Sequence, residues 1–296
     1  MDLAYLRSHP HHLPAFLTHQ RIRETPVGGG SICTAARLTL DDGASVFAKQ
    51  WPGGDPPPGF FAAEAAGLRW LAEAGAPVPE VIAELPDMLV LGWLDPGRPT
   101  PDGAYRLGAA LARLHRAGAD RFGTQWPGYI GSLALPPEPG EPGAGSWGAW
   151  FARQRLAPYL RMSADRGALS APDVTQVERL LEDIDRYAGP AEPPARIHGD
   201  LWPGNVLWST GDTAYLIDPA AQGGHRETDL ATLALFGGAP HLDRLIEGYQ
   251  EVWPLAEDWR RRVPLHQLHL LLVHTALFGG SYRTAVMSAV RATVNE

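Results

Sequence analysis

The chain has 296 residues, 45% of them hydrophobic and 20% charged, and its 33 Gly and 28 Pro stay below the ~25–30% at which low complexity takes over, so wholesale disorder is excluded. Lys plus Arg number 25 against 33 Asp plus Glu, a net charge of −8, and no basic block could neutralise a phosphate backbone, which argues against a nucleic-acid partner. Cys33 is the sole cysteine, excluding an intrachain disulfide and a Cys-based zinc cluster and fitting a reducing compartment.

The first twenty residues carry Asp2, Arg7 and four His without the apolar stretch of a signal peptide, and no run approaches the ~18 apolar residues of a membrane span. A soluble, cytoplasmic protein is expected, monomeric by default. His9, His11 and His12 lack accompanying Cys or carboxylates at metal-ligand spacing, so a frayed terminal segment is expected there. Residues 21–50 hold three strand-like runs, 21–27, 32–40 and 45–49, separated by Gly28-Gly29-Gly30-Ser31 and by Asp42-Gly43, a pair suited to a type I′ hairpin turn. A Pro/Gly-rich loop leads into a helix over 60–74, stopped by Gly75 and Pro77. Phe61, Leu68 and Leu71 share one face of it with Glu64, and a carboxylate in an apolar stripe needs a partner.

Residues 88–94 read as an apolar strand ending at Asp95-Pro96-Gly97, a connector to a second, mainly helical part, which divides the chain into 1–94 and 95–296. Thr100-Pro101 caps a helix with Leu107, Ala110, Leu111 and Leu114 as its buried stripe. Residues 135–145 read as a surface loop, and Ser170 with Asp173 has capping-box spacing ahead of Val174, Val177, Leu181 and Ile184. Helices follow Asp229 and end in the amphipathic run 265–278, where His266, His269 and His274 are expected to pack among leucines.

The chemistry concentrates in residues 197–208. An Asp followed five residues later by an Asn, as in Asp200 and Asn205, is the layout of a phosphotransferase catalytic loop, with Asp accepting the substrate hydroxyl proton and Asn binding magnesium. Taken alone the two could equally be turn formers. Their context sharpens the reading: residues 206–210 and 213–217 are strand-like around Gly211-Asp212, and pairing Thr210 with Thr213 across a two-residue turn puts Asn205 opposite Asp218. Two oxygen donors at one hairpin edge suit Mg²⁺, which takes one or two protein oxygens plus water and phosphates. Upstream, Lys49 ends a strand beyond the Gly loop and Glu64 supplies the unpartnered carboxylate, so a Lys49–Glu64 pair holding the ammonium against phosphate accounts for both. Gly28, Gly29, Gly30 and Ser31 could cover phosphates through backbone N–H groups or be a flexible hairpin tip, and they do not match the Walker A pattern. Trp202, two residues past Asp200, is either a stacking floor for a sugar or a core residue.

The chain resembles the fructosamine kinase family, within the aminoglycoside phosphotransferase and protein-kinase-like group. The resemblance rests on Phe47-Ala48-Lys49, residues 61–71 with Glu64, Phe122-Gly123, Tyr129 to Leu133, His198 to Asn205, Ile217-Asp218-Pro219-Ala220, Gly224 to Ala231, Phe236-Gly237-Gly238 and Phe278-Gly279-Gly280-Ser281-Tyr282. It implies an α+β, bilobal protein-kinase-like fold, with a small antiparallel-sheet lobe plus one helix over 1–94 and a larger, mainly helical lobe over 95–296. It also implies an ATP- and Mg²⁺-dependent kinase that phosphorylates a sugar hydroxyl of a ketosamine, at O3 of a fructosamine or ribulosamine. By that likeness Asp200 is the proton acceptor, Asn205 and Asp218 hold Mg²⁺, and Lys49 with Glu64 organises the phosphates. The backbone of Gly92, Trp93 and Leu94 would meet adenine, His198 and Asp229 would support the catalytic loop, and Trp202 and His225 would face the ketosamine. The acidic balance suits any cationic acceptor, so an aminoglycoside or other amino sugar stays open, as does a pseudokinase acting as a binding module, although Lys49, Glu64, Asp200, Asn205 and Asp218 are all present. The sequence departs from the family at Ser31, where several relatives carry a redox-active Cys, and Cys33 lies two positions on. Asp218-Pro219-Ala220 replaces the Asp-Phe-Gly of protein kinases and argues against their activation-loop switch.

Overall fold

A strand exposes alternate residues to opposite faces, and that alternation organises the N-terminal half of the computed structural model, which describes residues 1–19, 22–28, 32–124, 126–136 and 146–295. Strands β1 (Arg23–Val27), β2 (Thr34–Thr39), β3 (Ser45–Gln50), β4 (Val81–Glu84) and β5 (Met88–Gly92) form one antiparallel sheet in the order β1-β2-β3-β5-β4. Leu38 faces Val46 and Ala36 faces Ala48 across β2 and β3. These side chains, with Met88 and Val90 of β5, form a buried layer under helices α1 (Leu3–Ser8) and α2 (Leu13–Thr18), which contribute Leu6 and Leu13. The N-terminal segment is therefore folded onto the sheet, contrary to the expectation of fraying, and it adds two short helices to the one helix expected in this lobe.

The intervening residues Phe47, Leu89 and Leu91 face the other way, against Phe60, Phe61, Ala65 and Leu68 of helix α3 (Phe60–Glu73). Lys49 belongs to that second face by the same alternation, which aims it at Glu64. The Asp-Gly hairpin forms with one residue more than expected: Leu40 and Ala44 pair through the Leu40 amide, 2.9 Å from the Ala44 carbonyl, and enclose Asp41-Asp42-Gly43. Gly43 takes φ +82°, the left-handed residue that a three-residue hairpin loop requires.

After the connector, α4 (Pro101–Arg116) is capped by Thr100, whose hydroxyl accepts the Gly103 amide at 3.0 Å. The small hairpin β6 (Gly128–Ile130) and β7 (Leu133–Leu135) precedes α5 (Trp147–Phe151), α6 (Ala157–Asp165) and α7 (Ala171–Glu182), and the expected capping box is formed at Ser170 and Asp173. Residues 137–145 of the expected loop lie outside the described residues, and residues 133–135 are strand. Strands β8 (Ala195–Ile197), β9 (Val206–Ser209), β10 (Thr213–Leu216) and β11 (Gln222–Gly224) are followed by α8 (Glu227–Thr232), α9 (Leu242–Val252), α10 (Trp259–Phe278) and α11 (Arg283–Asn295). Helices α4 and α9 approach backbone to backbone: a Cβ on Gly108 would lie 1.8 Å from the Leu245 carbonyl oxygen, and one on Gly248 2.1 Å from that of Tyr105. No helix among the described residues is long and apolar enough to cross a membrane.

The site depends on how four strands nest. β9 pairs with β10 while β8 pairs with β11, so the two connections, 198–205 and 217–221, must leave their ladders side by side.

Candidate active site

The Lys49 ammonium donates to Glu64 Oε2 at 2.8 Å and to Asp218 Oδ1 at 2.9 Å. Burial alone would lower the Lys49 pKa, but the two carboxylates outweigh it and hold the group above its ordinary range, so it is a permanent cation. Asp218 is held below the usual carboxylate range: burial pushes it up, and Lys49 more than reverses this. The Lys49 and Glu64 side chains are only 13% and 9% exposed, whereas Asp218 is 42% exposed, so the carboxylate that clamps the ammonium also offers an open side. Asp218 adopts φ +54°, a conformation unfavourable for a residue with a Cβ and of the kind that functional sites retain.

On the neighbouring loop, the Asn205 side-chain nitrogen donates to the Asp200 backbone oxygen at 2.8 Å and to Asp200 Oδ2 at 3.2 Å. The backbone carbonyl is an acceptor only, which fixes the amide orientation and leaves the Asn205 oxygen as the atom free to bind a cation. Asp200 Oδ1 is buried without a hydrogen-bond partner. Desolvation first, and the Asp218 charge second, push the Asp200 carboxyl well above its ordinary range.

Beneath the loop, fully buried Asp229 accepts the His198 and Gly199 backbone amides at 2.7 and 3.0 Å and pairs with His115 Nε2 at 3.2 Å. His198 joins the two connections. Its Nδ1 accepts the Asp200 amide at 3.3 Å, so Nε2 carries the proton and donates to the Ile217 carbonyl at 2.9 Å, next to Asp218. Burial lowers the His198 pKa, which keeps the ring neutral and this tautomer in place. Gly199 has φ +82°, and a Cβ there would lie 2.2 Å from the Ala220 carbonyl oxygen. Gly199→Ala is expected to destabilise the fold by at least about 2 kcal/mol, read as a lower urea midpoint with an unchanged slope.

The hairpin register differs by one residue from that expected. Ser209 pairs with Thr213 and Leu207 with Tyr215, enclosing a three-residue loop in which Gly211 and Asp212 both have positive φ, at 72° and 55°. A one-residue slip would send a side chain in a regular strand to the opposite face. Asn205 and Asp218 escape this because neither is in the ladder: Asn205 ends a 3₁₀ turn, Pro203–Asn205, and the positive φ of Asp218 re-aims its side chain. The Ile217 amide donates to the Asn205 carbonyl at 3.1 Å, which joins the two segments at this point.

These groups open onto a cavity of about 880 Å³ lined by Gly28, Lys49, Glu64, Asp200, Trp202, Asn205 and Asp218, among others. Gly29, Gly30 and Ser31 lie outside the described residues. Gly92, Trp93 and Leu94 are not among the residues lining this cavity. The Gly92 amide donates to the Glu80 carbonyl at 2.8 Å, and Trp93 lies under the Arg37 guanidinium at 4.6 Å and donates from Nε1 to Asp95. His225 is also placed elsewhere: β11 and α8 turn it into the helical core, 2% exposed, with its ring centroid 4.8 Å from that of Trp147 and 4.9 Å from that of His266. A substrate contact through His225 is therefore corrected to a packing role. Cys33 does line the cavity, but burial pushes its thiol up to about 11, so it is protonated at neutral pH and a poor nucleophile.

Several contributors were not singled out from the sequence. His115 supports the loop from α4, and Thr232 of α8 donates its hydroxyl to the Leu201 carbonyl at 2.9 Å. Phe236, Phe278 and Tyr282, read from the sequence only as part of the family resemblance, and His274, expected to pack among leucines, line the cavity. The signal available for two of these is the repeated Phe-Gly-Gly at 236–238 and 278–280.

A small antiparallel sheet over a helical lobe, with a Lys–Glu pair on the sheet side facing an Asp/Asn loop and a second Asp, defines the chain as a protein-kinase-like phosphotransferase. It belongs to the fructosamine kinase family, whose model matches residues 11–296. The chain is 39% identical over 239 residues to a probable ketoamine kinase of Thermus thermophilus, covering 81% of this chain and 84% of the relative. The crystal structure of a candidate fructosamine-3-kinase from Thermobifida fusca superposes with a TM-score of 0.87 at 49% identity, over 93% of this chain and 94% of that one. An aminoglycoside phosphotransferase in ternary complex with AMP-PNP and hygromycin B shares the fold, with a TM-score of 0.61 at 15% identity over 96% of this chain and 100% of that one.

Proposed function

We propose that the protein transfers the terminal phosphoryl group of ATP to the O3 hydroxyl of a ketosamine, a fructosamine or a ribulosamine. One observation carries the reading: Asp200, whose buried Oδ1 has no hydrogen-bond partner, lines the same cavity as the Lys49–Asp218 pair. A carboxylate desolvated without a partner is costly, and a hydroxyl donor from substrate would supply the missing hydrogen bond. Asp200 accepts that proton as the sugar oxygen forms its bond to phosphorus and the bond to the ADP oxygen breaks, and its raised pKa makes it a stronger base than an exposed aspartate. Lys49, held by Glu64, presents a fixed positive charge to the phosphates, and Gly28 lies where backbone could approach them.

The donor set fits Mg²⁺: the Asn205 oxygen, left over when the side-chain nitrogen donates to Asp200, and the open side of Asp218 are hard oxygen ligands at adjoining points of two loops. Held there by Asn205 and Asp218, the ion would supply positive charge that offsets that of the phosphates. The ketosamine assignment is supported by membership of the fructosamine kinase family and by the ketoamine kinase relatives.

The test is incubation with ATP and Mg²⁺ and, separately, fructosyl-lysine, ribulosyl-lysine and kanamycin, with product read by ³¹P NMR. The expected result is a new phosphate monoester on O3 of a ketosamine and none on kanamycin. Phosphorylation of kanamycin alone would replace the acceptor, and no Mg²⁺-dependent turnover of any acceptor would reject the kinase reading.

A further inference from the structure

Part of the cavity lining is an aromatic wall that the phosphoryl-transfer groups do not use. It starts at Trp202, two residues past the proposed base, whose ring meets Phe236 edge-on at 5.9 Å. Phe236 packs against His274 at 5.0 Å and Tyr282 at 6.0 Å, and Phe278 against His274 at 5.6 Å. Two features separate this wall from ordinary core. Phe236 and Phe278 are 44% and 46% exposed, among the few large hydrophobic side chains left open to solvent. Phe236 also has φ +52°, an unfavourable conformation for a bulky residue, and Gly237 and Gly238 follow it with φ of +99° and +79°. The backbone thus holds a strained turn that presents an aromatic ring at the cavity mouth.

His274 adds a polar element of one sign. Its Nδ1 lies 2.8 Å from the Leu270 carbonyl, an acceptor, so Nδ1 carries the proton and Nε2 carries a lone pair. Burial lowers its pKa and keeps it neutral. The wall therefore offers ring faces, which attract cations, and an acceptor nitrogen. Among the described residues, the charged ones lining the cavity, Lys49, Glu64, Asp200 and Asp218, all belong to the phosphoryl-transfer groups, and none of them is part of the wall.

We infer that the wall of Phe236, His274 and Phe278 is the subsite for the substrate's protonated amine, which it selects by cation–π attraction to the phenyl faces and by hydrogen bonding to the imidazole lone pair. This rests on the ketosamine reading above and says how that acceptor is distinguished from a neutral sugar. A ketosamine carries its alkylammonium on C1 and the O3 hydroxyl on C3, so both groups occupy the one cavity that Asp200 and this wall line together.

The experiment compares kcat/KM for fructosyl-lysine, with its charged linking nitrogen, and for a 1-O-alkyl fructose ether, a neutral isostere, in the unmodified enzyme and in Phe236→Leu, Phe236→Tyr and Phe278→Leu. The unmodified enzyme is expected to prefer the amine, and Phe236→Leu to reduce that preference about 2- to 30-fold through KM. The ether's kcat should stay constant, Phe236→Tyr should retain the preference, and Phe278→Leu, at a separate position, should show the same loss. An unchanged ratio in both Leu variants, or no preference in the unmodified enzyme, overturns the subsite while leaving the kinase intact. Failure of the unmodified enzyme to phosphorylate either compound overturns the functional reading and the subsite with it.

Discussion

Asp200→Asn is expected to lower turnover by about 10²- to 10⁴-fold, the usual contribution of a positioned general base, while nucleotide affinity changes little. The substitution keeps the shape of the side chain and an oxygen to accept the Asn205 amide, so the loop geometry is retained. What it removes is the carboxylate proposed above to take the hydroxyl proton. The same change is expected to make the ligand-free protein more stable at neutral pH. The folded-state pKa of Asp200 lies well above the ordinary carboxylate value because the group is desolvated and faces Asp218. A carboxyl with a raised folded-state pKa contributes most below its unfolded pKa, and that contribution is lost as pH rises through the folded value. The stability gain of Asp200→Asn should therefore be largest near pH 7 and vanish as pH falls into the ordinary carboxylate range. Denaturation midpoints at pH 7 and pH 4 measure it, and an equal or lower midpoint at pH 7 would show that the carboxylate is better compensated than its unpartnered Oδ1 indicates.

The second large effect is expected for Asp229→Ala, on stability and activity together. Removing this carboxylate leaves the His198 and Gly199 amides and His115 Nε2 without their buried acceptor. The cost should be about 3–5 kcal/mol. Activity should fall in parallel, because the two amides are those of the residues immediately before Asp200. Burial pushes the Asp229 pKa up, but the hydrogen bond and charge of His115, with further partners, hold it below the ordinary range. Its contribution is therefore present above the unfolded pKa and lost as pH falls through the folded value, so the variant and the parent should converge on acidification. Urea unfolding at pH 7 and at pH 3 to 4 tests this. A loss below 1 kcal/mol at pH 7 would mean that water replaces the carboxylate.

The site was legible where local periodicity carries the information. Two-residue alternation in β3 separates Val46 and Ala48 from Phe47 and Lys49, and the helical spacing of Phe61, Glu64 and Leu68 puts the carboxylate on the face that meets the sheet. The hairpin was legible as a hairpin but not in register, because Gly211 permits a two- or a three-residue loop and the preference between them is weak. Asn205 and Asp218 still adjoin through a 3₁₀ turn and a strained φ that no alternation rule contains. His225 read as an available polar residue in a Gly-rich motif, yet β11 pairs with β8 and carries it into the interior. The N-terminal helices were missed because each is only six residues long, too short to show periodicity, and both are stabilised by packing Leu6 and Leu13 on a distant sheet face.

By itself the amino-acid sequence determined which residue types are present, the two faces of the first sheet, the capped helix starts at Thr100 and Ser170, and the Asp200–Asn205 spacing. These follow from covalent geometry and near-neighbour interactions. Only the tertiary structure decided that loops 198–205 and 217–221 leave side by side, that Asp229 and His115 lie beneath the first of them, that Asp200 is desolvated, and that Phe236 and Phe278 share a wall with Trp202. Strand nesting, burial and hydrogen bonding between residues far apart in the chain are properties of the packed molecule, because each depends on which distant segment displaces water from a given side chain.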